Sequence, residues 1–263
     1  NTGSYNSGGI QIYGEKESYS FENITINGNS FSNFVNADPS QTLEDSGSRH
    51  KSGLMGAIAV SVNEGASATD IVITNNTISS ATDQLYSDND VSALIQIVGH
   101  VENLDIINND LNWYDSVISL GSDIPESSYD KLSSNSVEAI SLYGGIDGEV
   151  RVSGNDIDFS ENILMQTTGV LVDAQPNISS YGEYEADTLS FAWTNLIELS
   201  SNTADIALFD FSEEQLETVN VDVNLNQLED ANLVYQTLPG QDVGGYLQDT
   251  IYIFKSAEVF ELN

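Results

Sequence analysis

Eight side chains in this 263-residue chain can carry a stable positive charge or act as an imidazole base: Lys16, Arg49, Lys51, Lys131, Arg151, Lys255, His50 and His100. Three of them stand together as Arg49, His50 and Lys51. Such a cluster supplies a base and neighbouring cations, which is what proton abstraction beside a carboxylate needs. Read catalytically, this is the place to seek a reaction or an anion site. Read structurally, it is a solvated loop whose charges offset the acids around it, and the sequence leaves both readings open. Arg151 lies between Val150 and Val152, so on a strand it points away from the core and suits a surface ion pair.

The acids are the larger set. Forty-one Asp and Glu residues allow two-carboxylate glycoside hydrolysis, which needs a pair ~5–10 Å apart, but in so acidic a chain the spacing singles out no pair. Asp83, Asp88 and Asp90, with Asn89, form the densest group of oxygen donors, and calcium is the ion that suits such donors. The segment 123–130, with Glu126, comes second. Neither follows the twelve-residue calcium loop or the glycine-rich repeat of calcium-binding β-rolls, and a solvated acidic loop is the competing reading. Trp113 and Tyr114, with Tyr181, Tyr184, Phe191 and Trp193, offer rings for stacking on sugars; equally, they suit anchoring loops on the body of the fold. Two histidines and no cysteine exclude an imidazole- or thiolate-rich metal centre. Nucleophile elbows, phosphate loops and dinucleotide fingerprints are missing from the sequence.

Six basic residues against forty-one acids give a net charge of −35. The acids are scattered, so they belong to a folded surface, whose self-repulsion solvated or bound cations must offset. Nucleic acid and anionic membranes are excluded as partners, because both require Lys and Arg to neutralise phosphates. Adaptation to salt or seawater is the expectation that fits this surface. Hydrophobic residues make up 40%, enough for a sizeable core. No stretch approaches the ~20 apolar residues of a membrane span. Nor does a charged-then-apolar leader open the chain, so the expectation is that any signal peptide has been removed. Sequons occur at Asn23, Asn75 and Asn177.

The elements that must position these residues are announced by a repeat. Two apolar residues at spacing two are followed, three places on, by asparagine and then by another apolar residue. The copies are Ile24, Ile26, Asn29, Phe31; Ile71, Ile73, Asn76, Ile78; Leu104, Ile106, Asn109, Leu111; Val150, Val152, Asn155, Ile157; and Val221, Val223, Asn226, Leu228. A partial copy is Ile197, Leu199, Asn202. Apolar residues at spacing two share the inward face of a strand. The polar pair turns the chain, and asparagine tolerates the left-handed backbone of such a bend. In stacked coils the asparagines Asn29, Asn76, Asn109, Asn155, Asn202 and Asn226 can bond to one another as a ladder.

Another apolar motif precedes each copy, at 9–12, 57–62, 94–97, 139–142 and 169–172. A third is expected after the asparagine, at 34–35, 117–120, 163–165, 206–209 and 233–235. Three short strands per coil predict an all-β parallel β-helix of about six coils. The asparagine spacings are 47, 33, 46, 47 and 24. The shortest is close to a bare coil of ~22–25 residues, so the others hold insertions, assigned to 36–54, 82–90, 122–136 and 174–194. Loops of this kind are where repeat proteins usually bind.

The coil motif with its recurrent asparagine resembles the right-handed parallel β-helix superfamily of pectate-lyase-like enzymes, phage tailspikes and surface adhesins, over roughly residues 8–236. The resemblance implies the fold, and leaves open several unrelated activities. Lyases of that superfamily use Lys or Arg as the base, often with calcium, and this chain's charge would repel their acidic substrates. The polygalacturonase-like members carry Asp-Asp and Gly-His-Gly segments; here His100 follows Gly99 without an Asp-Asp partner.

Residues 1–240 are expected to form the β-helix and 241–263 capping or exchanged strands. The functional expectation is an extracellular or cell-surface structural or adhesive protein, a self-assembling surface or filament subunit included. Its partners would be copies of itself, other surface proteins or polysaccharide. The alternatives are a secreted polysaccharide lyase or glycoside hydrolase, and a carbohydrate-binding adhesin module.

Overall fold

The computed structural model describes residues 9–14, 19–34, 57–62, 66–81, 91–99, 101–114, 136–143, 146–160, 166–173, 197–204, 206–209, 219–220, 233–236, 242–243, 246–247 and 251–254. Each repeat folds as one turn of a right-handed parallel β-helix. The first coil is β1 (Ile10–Gly14), β2 (Ser20–Asn27) and β3 (Ser30–Phe34). The second is β4 (Ile58–Val62), β5 (Ser67–Thr74) and β6 (Thr77–Ala81). The third is β7 (Val91–Gly99), β8 (Val101–Ile107) and β9 (Asp110–Tyr114). The fourth is β10 (Ser136–Tyr143), β11 (Ile146–Ser153) and β12 (Asp156–Phe159). The fifth has β13 (Gln166–Asp173) and β14 (Ile197–Glu198), and the sixth has β15 (Ile206–Phe209) and β16 (Val219–Asn220).

Stacking the coils produces three sheets. The first runs β1-β4-β7-β10-β13-β15 and the second β2-β5-β8-β11-β14-β16, while β3-β6-β9-β12 form the third. All of these neighbours pair in parallel.

Register follows from the apolar spacing, since a slip of one residue would turn every inward side chain outward. In the second sheet Ile24, Ile71, Leu104 and Val150 form one inward column, and Ile26, Ile73, Ile106 and Val152 another. In the first sheet the columns are Ile10, Ile58, Ile95, Ile140, Val170, Ile206 and Ile12, Val60, Ile97, Leu142, Val172, Leu208. From the second coil onward these side chains are buried; Ile10, Ile12 and Ile24 of the first coil are only partly so. Each buried Ile, Leu or Val contributes about 1.5–3 kcal/mol of burial, so the core is a filled axis.

The stack ends differently at its other end. Here β20 (Ile251–Phe254) runs antiparallel to β15, and β17 (Leu233–Gln236) lies antiparallel beside β20. A separate antiparallel pair joins β18 (Asp242–Val243) to β19 (Tyr246–Leu247).

Two expectations about the third strand are corrected. The third sheet starts directly after the ladder asparagine, so Phe31, Ile78, Leu111 and Ile157 already belong to it. Residues 206–209, expected as a third strand, are the first strand of the sixth coil, because they pair with β13 in the first sheet. Residues 233–235 also join the first sheet, beside β20. The physical reason is that any apolar triplet fits a buried strand, and only its pairing partner assigns it to a sheet. Residues 35, 117–120 and 163–165 lie outside the described residues.

Candidate functional site

The asparagine column is the most regular polar feature of the molecule. Asn76, Asn109, Asn155 and Asn202 are fully buried, at 0–1% exposure, which would be costly for an amide without partners. Each finds them in the adjacent coils. The Nδ2 of Asn29 donates to Asn76 Oδ1 at 3.0 Å, Asn76 to Asn109 at 2.9 Å, Asn109 to Asn155 at 2.9 Å and Asn155 to Asn202 at 2.8 Å. The same oxygens accept the backbone N–H of the preceding asparagine. The second amide hydrogen turns back to a carbonyl of the preceding coil: Asn76 to Ile26, Asn109 to Ile73, Asn155 to Ile106 and Asn202 to Val152. Every interior amide thus uses both hydrogens and its oxygen. Asn226 lies outside the described residues.

The bend itself is made by the residue before each asparagine. Gly28, Asn75, Asn108, Gly154 and Ser201 have φ between +53° and +70°, the left-handed region open to Gly and tolerated by Asn. The ladder asparagines are not among the positive-φ residues, so bending and bonding are divided between neighbours. A second left-handed column, not anticipated from the pattern, crosses the second sheet at Asn23, Asp70, Asn103 and Gly148. There Asn103 Nδ2 donates to Asp70 Oδ1 at 2.9 Å, and Asn103 Oδ1 accepts Glu149 N–H at 3.1 Å. The signal was available in part: polar or glycine residues stand at these positions, at a fixed distance before the inward pair.

Outside the core, the second and third sheets present aligned polar columns. Arg151 stacks on Asp105 in register, with Nε 3.1 Å from Oδ1 and Nη2 2.9 Å from Oδ2. The hydrogen bond to Asp105, and then its charge, raise the Arg151 pKa further, so the guanidinium stays charged. The pair is exposed and contributes little to stability. On the third sheet Asp110 faces Asp156 and Asn112 faces Asp158 in successive coils, with Asn112 Nδ2 3.4 Å from Asp158 Oδ2. Among the described residues no group of three or more His, Cys, Asp or Glu could hold a metal ion.

The first sheet differs, because its middle strands are buried on both faces. Ala59, Gln96 and Ser141 alternate with the core residues, align in register and are at most 1% exposed. Beside them lies the buried carboxyl of Glu138, which accepts a hydrogen bond from the Ser141 hydroxyl.

Trp113, a candidate sugar platform, is fully buried in the core, and its indole N–H donates to the Glu138 carbonyl at 2.7 Å. Its ring therefore packs the interior, a correction that follows from its inward position two residues after Leu111. Tyr114, next along the strand, is half-buried. Arg49, His50, Lys51, Asp83, Asp88, Asp90, Tyr181, Tyr184 and Trp193 lie outside the described residues, as do His100 and the 123–130 segment.

Comparison with protein families, curated proteins and solved structures finds no match for this chain.

Proposed function

We propose that this chain is an extracellular or cell-surface scaffold that works by presenting a long, regular surface, and not by catalysis. One observation supports the reading above others: five asparagines bond coil to coil, four of them through fully satisfied buried amides. Such a ladder fixes the rotation and rise of each coil on the next, so the outer columns of the second and third sheets recur at the strand spacing of ~4.8 Å. A rigid periodic face suits a periodic partner: a polysaccharide, an array of surface proteins or further copies of the chain. The ladder motif also supports placing the chain in the pectate-lyase-like superfamily of parallel β-helices. Its net charge of −35 supports a salty habitat, and calcium is the ion we propose to offset the acids.

The deciding experiment incubates the protein with neutral and acidic polysaccharides, with and without calcium. Retention on at least one polymer, with no new reducing or unsaturated ends, is the expected outcome. Chain cleavage would overturn the scaffold reading in favour of a lyase or hydrolase. Retention on sugars by a chain that never self-associates would narrow it to a carbohydrate-binding adhesin module.

A further inference from the structure

Along the ladder, each oxygen accepts from the coil before it and each second amide hydrogen points back to that coil. At Asn29 this leaves Oδ1 and one Nδ2 hydrogen without a partner among the described residues, since its bonds run forward to Asn76. The surrounding edges are in the same condition. β1, β2 and β3 each end their sheet, with no described strand on the outer side. Ile10 N–H donates to the Ala57 carbonyl at 2.9 Å. Neighbouring residues of a strand turn their backbone groups to opposite sides, so exposed Gln11 directs its N–H and C=O to the free edge. Ile10, Ile12, Phe21, Ile24 and Phe31 are only partly buried there.

We infer that this first coil is a docking face for a second copy of the chain, joined head to head. An amide with one open acceptor and one open donor is complementary to itself, so two Asn29 side chains can exchange Nδ2–H···Oδ1 bonds. A free strand edge is likewise complementary to its own copy in the antiparallel sense, and the partly buried apolar residues of the two coils close over one another. The opposite end is unsuited to continue the stack, because β20 turns the first sheet antiparallel after β15. The contact is therefore closed at two copies. Two bodies of −35 each repel, so pairing strengthens as salt shortens the Debye length from about 10 Å at 0.1 M to about 3 Å at 1 M.

This inference deepens the self-association branch of the proposed function and rests on it. Its test is sedimentation equilibrium of the whole chain at about 0.1 M and about 1 M sodium chloride. The expected result is a monomer–dimer equilibrium, tighter at high salt. Gln11→Pro, which removes an edge N–H without touching the β1–β4 ladder, and Asn29→Ala should each weaken it about tenfold or more. Thermal melting of both monomers checks that the fold survives. A monomer at both salts, or a dimer that neither variant weakens, overturns the head-to-head face while leaving polysaccharide retention free to support the scaffold reading. Open-ended growth into longer assemblies overturns the closed dimer and favours a filament. Pairing that appears only when a separate polypeptide carrying a parallel coil is added assigns the face to that partner and overturns self-docking.

Discussion

The Thr203 hydroxyl bonds Ile157 as a neighbouring strand would: Oγ1 accepts the Ile157 N–H at 2.7 Å and lies 3.1 Å from the Ile157 carbonyl, to which it donates. The third sheet stops at β12, and one side chain from the next coil occupies the backbone groups at its edge. The partial copy of the repeat, with Thr203 and Ala204 after Asn202, is therefore where a strand is replaced by a cap.

Replacing Thr203 by Val keeps its shape and removes the cap. Stability should fall by about 0.5–1.5 kcal/mol, the net worth of a typical hydrogen bond, or somewhat more because two backbone groups are left open. Urea denaturation of Thr203→Val and Thr203→Ser measures this, with the serine variant close to wild type.

The ladder predicts a gradient along the chain. Asn109→Ala strips the acceptor from Asn76 and the donor from Asn155 and Ile73, all buried, at about 1–3 kcal/mol for each group left unpaired. It should cost more than about 3 kcal/mol in total. Asn29→Ala, at the end of the ladder, should cost about 1 kcal/mol. Equal losses in denaturant titrations of the two variants would contradict the hydrogen-bond account.

Glycine positions separate backbone conformation from close approach. A Cβ at Gly28, with φ of +70°, meets nothing within 4 Å, so Gly28→Ala should cost only about 1 kcal/mol of left-handed strain. A Cβ at Gly99 would stand 1.9 Å from the Val62 carbonyl oxygen, a backbone atom of the paired strand. Gly99→Ala should therefore lower the melting temperature several times further, or prevent folding.

Raising salt should stabilise the monomer as well as any dimer. With −35 charges on the chain, screening relieves repulsion that the folded state concentrates. The melting temperature should climb between low and molar sodium chloride at protein concentrations where sedimentation shows monomer. A flat profile would mean that the acids are spaced widely enough for water alone.

Much of the scaffold was legible because it obeys one periodic rule. Ile24 and Ile26, Ile71 and Ile73, and their successors share an inward face, and the asparagine three places on is hard to explain on a solvated strand. The strand following the asparagine was harder to read. Leu111 and Trp113 alternate inward like any strand pair, yet an aromatic pair Trp113–Tyr114 near a putative bend reads equally well as a sugar platform. Pairing partners, which assign residues 206–209 to the first sheet, depend on the three-dimensional path and on insertions of irregular length. The left-handed column at Asn23, Asp70, Asn103 and Gly148 escaped notice because Asn, Asp and Gly are interchangeable there in conformation but not in letter.

The ladder also gives the molecule a unit of growth. Each asparagine meets only the rung before and the rung after, and every rung offers the same oxygen one way and the same hydrogen the other. A whole coil could be duplicated or excised between Asn76 and Asn155 and the new neighbours would still match, whereas half a coil would turn apolar columns to water. Length in this architecture is thus quantised, and the chain can serve as a ruler whose divisions are single amide groups.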